Sequence, residues 1–319
     1  MSPPKHEDYV VRRTVESDPS LPQIALGEVV LHSETFGDPG SPVVIVVHGG
    51  PGKDYRSLLP LKALADEFLV VFYDQRGTGL SPRVDDEQLT YQCYLADLDA
   101  LVDRYRAGGK VSLFGHSWGT MLVSGYVGRH PGKVERAVLA EPAPLTQEVN
   151  LANSGKYRAG AGFLLNGLRA WFASRWKSGP DGDASGDYFL GRMGTYEGQG
   201  HPMAGFFCNG EVPPPAFEHW RMGRRALIKV PESYSSGRAF RLTPKEMDVS
   251  FVEGVESFTQ EVLFVAGACD RVLGEQLQRD QMKYFPSARL VVIDGVGHEP
   301  FGEDPEASIA PVREYLRSS

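Results

Sequence analysis

Apolar and polar positions along the 319 residues fall into two patterns. Pro42 to Val47 is a continuous apolar run, as expected of a strand buried on both faces. Phe68–Tyr73, Val111–Phe114, Ala137–Ala140, Val262–Ala266 and Leu290–Ile293 repeat it. Val10–Glu16 and Glu28–Thr35 alternate instead, which predicts antiparallel strands, with Asp18–Pro22 between them as a loop. Helical spacing lies between the apolar runs. Tyr94, Leu95, Leu98, Leu101, Val102 and Tyr105 share one face over Tyr91–Arg106. Thr120–Arg129 ends at His130-Pro131-Gly132, a helix stop, and Glu275–Phe285 and Glu306–Leu316 predict two further helices. Strands alternating with helices predict an α/β fold: a mostly parallel sheet flanked by helices.

One stretch breaks the alternation. From about Leu145 to Lys245 no buried-strand run occurs, and Gly, Trp and Phe are frequent. This predicts an inserted, mainly helical cap over 145–248, between a first core part at 1–144 and a second at 249–319. Its aromatic residues Trp171, Phe172, Trp176, Tyr196, Phe206, Phe207, Phe217 and Trp220 are expected to form the cap's own core or to line an apolar substrate pocket.

Composition narrows the class. With 41% apolar and 23% charged residues, the chain is an ordinary globular one rather than a disordered one. No run approaches the length of a membrane span, so no membrane partner is expected. A net charge of −8 argues against nucleic acid, which needs a basic face, and leaves the oligomeric state open. Cys93, Cys208 and Cys269 are odd in number and far apart, with no metal-type spacing. They predict reduced thiols, no metal site and a cytoplasmic protein. Met1–Val10 lacks the apolar segment of a secretory signal.

Four motifs carry chemistry. Gly115-His-Ser117-Trp-Gly119 follows one apolar strand and opens a helix, the strand–turn–helix setting in which G-x-S-x-G presents a nucleophile. A serine hydroxyl needs a base, and the base an orienting acid. Asp270 and His298 follow Ser117 in the order this fold requires, each just past the C-terminal end of a strand. His48-Gly-Gly-Pro-Gly52 follows another strand, and its glycines let backbone approach a substrate. The expected oxyanion donors are the N–H groups of Gly50 and Trp118, with His48 holding the loop by a hydrogen bond. Asp74-Gln-Arg-Gly-Thr-Gly-Leu-Ser81 does not fit a phosphate-binding pattern. Asp74 and Arg76 are expected to form an internal ion pair that braces the site loops.

Together these motifs resemble the α/β-hydrolase superfamily, and more narrowly the proline iminopeptidase family of serine aminopeptidases. The resemblance covers roughly residues 25–145 and 250–319. It implies Ser117 as nucleophile, Asp270 as acid and His298 as base, with no metal and no organic cofactor. It also implies carboxylates, largely from the cap, that hold the free amino terminus of a short peptide. Glu141, Glu211 and Glu218 are the candidates, and Glu141 at a strand end is expected to face the cleft. The alternatives are an esterase, lactonase or amidase acting on a small apolar acyl compound, and a non-catalytic ligand-binding relative.

Overall fold

Apolar runs without a polar break can satisfy their backbone groups only in a ladder covered on both sides. The computed structural model describes residues 9–153, 160–177, 179–194, 201–236 and 246–318, and Tyr196 falls outside them. In chain order its strands are β1 (Gln23–Leu26), β2 (Val29–Phe36), β3 (Val43–Val47), β4 (Leu69–Tyr73), β5 (Val111–His116) and β6 (Val134–Ala140). A two-residue ribbon, β7 (Ser235–Ser236) and β8 (Glu246–Met247), comes next, followed by β9 (Val262–Gly267) and β10 (Ala288–Ile293). The main sheet has the order β1-β2-β4-β3-β5-β6-β9-β10. β2 pairs antiparallel with β1 and β4, and all other neighbours are parallel.

Alternate residues of β3 enter opposite layers. Ile45 and Val47 join a cluster with Tyr91, Leu98 and Val102 of α1 (Tyr91–Tyr105) and Leu122 and Tyr126 of α2 (Trp118–Arg129). Val44 and Val46 meet the 3-10 segment Tyr55–Asp66. Beside that segment lie Phe301 of α8 (Pro300–Glu303) and Val312 of α9 (Pro305–Arg317). β3 lies between β4 and β5, so the strand order reverses direction there. Ligand crevices of open parallel sheets form at such switch points, beyond the C-terminal strand ends.

Between β6 and β9 the described residues hold α3 (Gln147–Asn153), α4 (Ala161–Ser174), α5 (Ala184–Gly194) and α6 (Arg224–Glu232), and α7 (Glu275–Met282) follows β9. Ala226 and Val230 of α6, Tyr234 and Met247 share the apolar cluster of α1 and α2. The later part of this insertion is therefore packed into the core. Its aromatic residues divide. Phe206 and Phe207 are buried, whereas Trp171, Phe172 and Trp176 are 46%, 59% and 87% exposed. The exposed three thus do not form a buried core. No helix among those residues is long and apolar enough to cross a membrane.

Two local expectations are corrected. Val10–Glu16 is not a strand. Val10 is exposed while Thr14 and Val15 are buried, Val15 makes one backbone bond, to Leu80 O, and Arg221 reaches Arg12 O, so the segment is anchored at its end without a ladder. The partner of β2 is instead β1, a four-residue edge strand reached through Gly27 at φ +64°. The Asp74–Arg76 ion pair does not form either. Arg76 turns toward α1 and grips Asp97 with Nε at 2.7 Å and Nη2 at 2.5 Å. Asp74 accepts from His32 Nδ1 at 2.8 Å and from the N–H groups of Tyr55 and Leu80. Burial pushes the Asp97 carboxyl up while the Arg76 guanidinium pulls it down. Asp97→Ala, which strands the guanidinium of a buried pair, is expected to cost about 3–5 kcal/mol of stability in urea unfolding. A loss below about 1 kcal/mol would show that the pair is not a structural anchor.

Candidate active site

β5 ends at His116 and α2 begins at Trp118, so one residue makes the turn. Ser117 takes it at φ +50°, ψ −119°, a conformation that costs on the order of 1–3 kcal/mol outside glycine. Its neighbours must be small for the backbones to close. A Cβ on Gly115 would sit 2.8 Å from Gly119 O, and one on Gly119 would sit 2.8 Å from His48 O. The Ser117 N–H donates to Ala140 O at 2.9 Å, tying the turn to the end of β6. Ser117 itself is half-buried, between buried neighbours.

His298 Nε2 lies 3.0 Å from Ser117 Oγ, and its Nδ1 lies 3.1 Å from Asp270 Oδ2. A carboxylate only accepts, so the neutral ring carries its proton on Nδ1 and receives the Ser117 hydroxyl on Nε2. Asp270 Oδ1 accepts the N–H groups of Val272 and Leu273 at 2.7 and 2.8 Å, which fixes the carboxylate in its loop. Behind the ring, Glu141 Oε2 stands 3.8 Å from Nδ1. Burial works against a charged imidazole here, but Asp270 and then Glu141 outweigh it and raise the His298 pKa. Burial and then the Asp270 charge raise the Glu141 carboxyl. Glu141, Asp270 and His298 bring one donor atom each within 4.8 Å of one another. The imidazole Nδ1 is already committed to Asp270, and Glu141 Oε2 stands beside that bond without one of its own.

The His-Gly-Gly-Pro-Gly loop sits against this turn, and a Cβ on Gly49 would lie 3.1 Å from Ser117 Cβ. His48 is fully buried. It donates from Nδ1 to Gly49 O at 2.8 Å and accepts the Gln75 N–H on Nε2 at 3.0 Å. The Gln75 side chain accepts from Trp118 Nε1 at 3.0 Å and donates to His48 O at 2.8 Å. The bracing expected of Asp74 and Arg76 thus falls to Gln75, the residue between them. Lys53 Nζ, just past the glycine loop, pairs with Glu299 Oε1 at 2.7 Å. Burial opposes the Glu299 charge, but Lys53, then His116 and His298, hold its carboxyl down at about 2. The His116 Nε2–H donates to His298 O at 2.8 Å.

The insertion also holds the site. Phe206 O accepts the His298 N–H at 3.0 Å, the Phe206 ring lies 4.9 Å from the imidazole, and Gly205 O accepts the Arg271 N–H at 3.1 Å. Cys208 and Cys269 form a disulfide, with Cα atoms 4.8 Å apart, and Cys93 is the free thiol. This corrects the expectation of three reduced thiols. The partners are 61 residues apart and no spacing rule links them; the fold brings them together. A cytoplasmic location rested on free thiols and loses that support.

The three candidate glutamates differ in burial. Glu211 and Glu218 are exposed, and no described hydrogen bond or ion pair joins them to Ser117, Asp270 or His298. Glu141 is fully buried and accepts the Gly267 N–H on Oε1, on the Nδ1 side of the imidazole. Three features escaped the sequence reading: the Lys53–Glu299 pair, the Gln75 bridge and the disulfide. Lys53 and Glu299 adjoin two recognised motifs, but 246 residues separate them. Only Gln75, inside a motif already singled out, left a signal that could have been used.

Comparisons with known proteins agree with this architecture. The chain is 24% identical over 291 residues to a proline iminopeptidase of Heyndrickxia coagulans, covering 88% of this chain and 92% of the relative. It is 23% identical over 292 residues to a cis-3-alkyl-4-alkyloxetan-2-one decarboxylase of Xanthomonas campestris pv. campestris, covering 86% and 88%. The solved proline iminopeptidase of Mycobacterium smegmatis superposes with a TM-score of 0.60 at 19% identity, covering 92% of this chain and 96% of that one. The chain therefore shares the proline iminopeptidase architecture. A family model matches residues 44–311, and the chain belongs to the alpha/beta hydrolase family.

Proposed function

We propose that this chain is a serine hydrolase that works through an acyl-enzyme, with Ser117 as nucleophile, His298 as base and Asp270 as acid. One observation carries the reading: the continuous path from Ser117 Oγ through both ring nitrogens to Asp270 Oδ2, at 3.0 and 3.1 Å. His298 takes the hydroxyl proton as Ser117 attacks a carbonyl. The N–H groups of Gly50 and Trp118 receive the oxyanion, Trp118 from the first turn of α2, where backbone donors are free. His298 then protonates the leaving group, and water repeats the cycle on the ester. Asp270 holds the reactive tautomer and stabilises the imidazolium. The insertion serves as a cap over the cleft and admits small substrates.

For the substrate, the motif set and the likeness to proline iminopeptidases support an aminopeptidase that releases N-terminal residues, proline among them, from short peptides. The full burial of Glu141 favours a second reading: an esterase, lactonase or amidase acting on a small apolar acyl group. An ammonium leaving water needs a carboxylate in reach, and the strand-end Glu141 has no exposed surface to offer one.

Initial rates on proline p-nitroanilide, its N-acetyl derivative and p-nitrophenyl butyrate separate the two. A strong preference for the free amine supports the aminopeptidase. Cleavage of the ester alone supports the second reading, and inertness toward all three removes both. Ser117→Ala is expected to lower kcat on the order of 10⁴–10⁶-fold on whichever substrate is turned over. Retention of most activity would sink the assignment.

The pH dependence has a definite sign. The base must be neutral, so activity is present above the His298 pKa and lost as pH falls through it. Because that pKa is raised, the acid limb of kcat/KM is expected above the ordinary histidine value of about 6.5. A limb below that value would contradict the electrostatics described.

A further inference from the structure

We propose that Glu141 is a positioning residue for His298: a second carboxyl on the Nδ1 side of the ring that sets its proton affinity together with Asp270. The inference rests on the reading of Ser117 and His298 as nucleophile and base, and it adds a residue to that apparatus. Glu141 was first expected in the cleft as a substrate carboxylate. Its full burial removes that role, because a side chain without exposed surface cannot receive an ammonium from solvent.

The backbone explains how it arrives there. β6 ends at Ala140, and Glu141 follows at φ +48°, a left-handed conformation uncommon outside glycine and asparagine. Its N–H donates to Val265 O at 2.8 Å, so the residue is stitched between β6 and β9. Oε1 takes the Gly267 N–H, at the end of β9. Oε2 has no hydrogen bond, and the charged or polar group it meets is His298 Nδ1 at 3.8 Å. A purely structural carboxyl would use both oxygens, since a buried acceptor left unpaired costs about 1–3 kcal/mol. Here one oxygen anchors the side chain and the other is turned to the imidazole.

The two carboxyl groups are not equivalent. Asp270 takes two backbone N–H groups on Oδ1 and the ring on Oδ2. Glu141 takes a single backbone N–H. Two carboxylates facing one site cannot both ionise freely, and the less solvated one keeps its proton longer. That one is Glu141, raised by burial and then by Asp270. As the imidazolium forms, its charge favours the Glu141 carboxylate, and the carboxylate in turn favours the imidazolium. The titratable groups facing Glu141 are Asp270, from the loop after β9, and His298, from the loop after β10. Around His298 stand also His116, Glu299 and Glu303, with Lys53 acting on it through Glu299.

The test uses a fluorophosphonate, which labels an activated serine and needs no knowledge of the substrate. Inactivation rates from about pH 5 to about pH 10 give the acid limb, and intact mass locates the adduct. Glu141→Gln is expected to move the limb to lower pH by about one unit relative to the unsubstituted chain. Asp270→Asn combined with Glu141→Gln is expected to react at least roughly tenfold more slowly than Asp270→Asn alone, because no carboxyl then remains on Nδ1. If Glu141→Gln melts too low to assay, Glu141→Asp, which draws the carboxyl back from the ring, replaces it with the same expected direction. A limb that overlays the unsubstituted one overturns the role of Glu141, whatever the Asp270 pair does. Absence of any Ser117 adduct on the unsubstituted chain removes the hydrolase reading itself, so the two failures are distinct.

Discussion

The left-handed conformation of Ser117 persists only because the surrounding backbone leaves it no alternative. β5 is buried on both faces and cannot shift, and α2 must start one residue later. Gly115 and Gly119 close the gap by bringing backbone within reach of backbone, and Ala140 O holds the Ser117 N–H from the next strand. That one turn aligns three strand ends. β3 supplies the glycine loop, β5 the serine and β6 the Glu141 corner. The histidine and aspartate loops must then meet a hydroxyl whose position is already set.

The surrounding loops are joined to that turn and to one another by side chains rather than by a ladder. Gln75 links the loop after β4 to both His48 and Trp118. Lys53 links the glycine loop to Glu299, beside His298. Glu303 accepts the N–H groups of Gly297 and Glu299 and thereby fixes the histidine loop from below. Phe206 closes it from the insertion side. Since loops carry few backbone partners of their own, such cross-links give the site the precision that strands give the core.

Legibility in the sequence followed the range of the interaction. Strands β3, β4, β5 and β9 are readable because burial on both faces imposes an unbroken apolar run. The serine turn is readable because its two glycines are demanded by local contacts. Asp270 and His298 are readable from chain order and strand ends. What was not readable depends on direction or on distant pairing. Arg76 and Asp74 are two residues apart, yet one side chain turns to α1 and the other to His32. Glu141 was visible at a strand end, but its positive φ sends the carboxyl behind the imidazole rather than into the cleft. The exposed aromatic residues of α4 do not supply the expected cap core, because aromatic content marks burial on average and not at a given position.

Cys208 belongs to the insertion and Cys269 to the loop that carries Asp270, so their bond crosses the seam between the two. This bears on how freely the parts of such a fold can be recombined. Replacing the insertion with that of another member of the fold would delete Cys208 and leave an unpaired thiol directly beside Asp270. It would also withdraw Phe206 O and Gly205 O from His298 and Arg271. The insertion is therefore not an interchangeable module, and a chimaera has to carry both cysteines or neither.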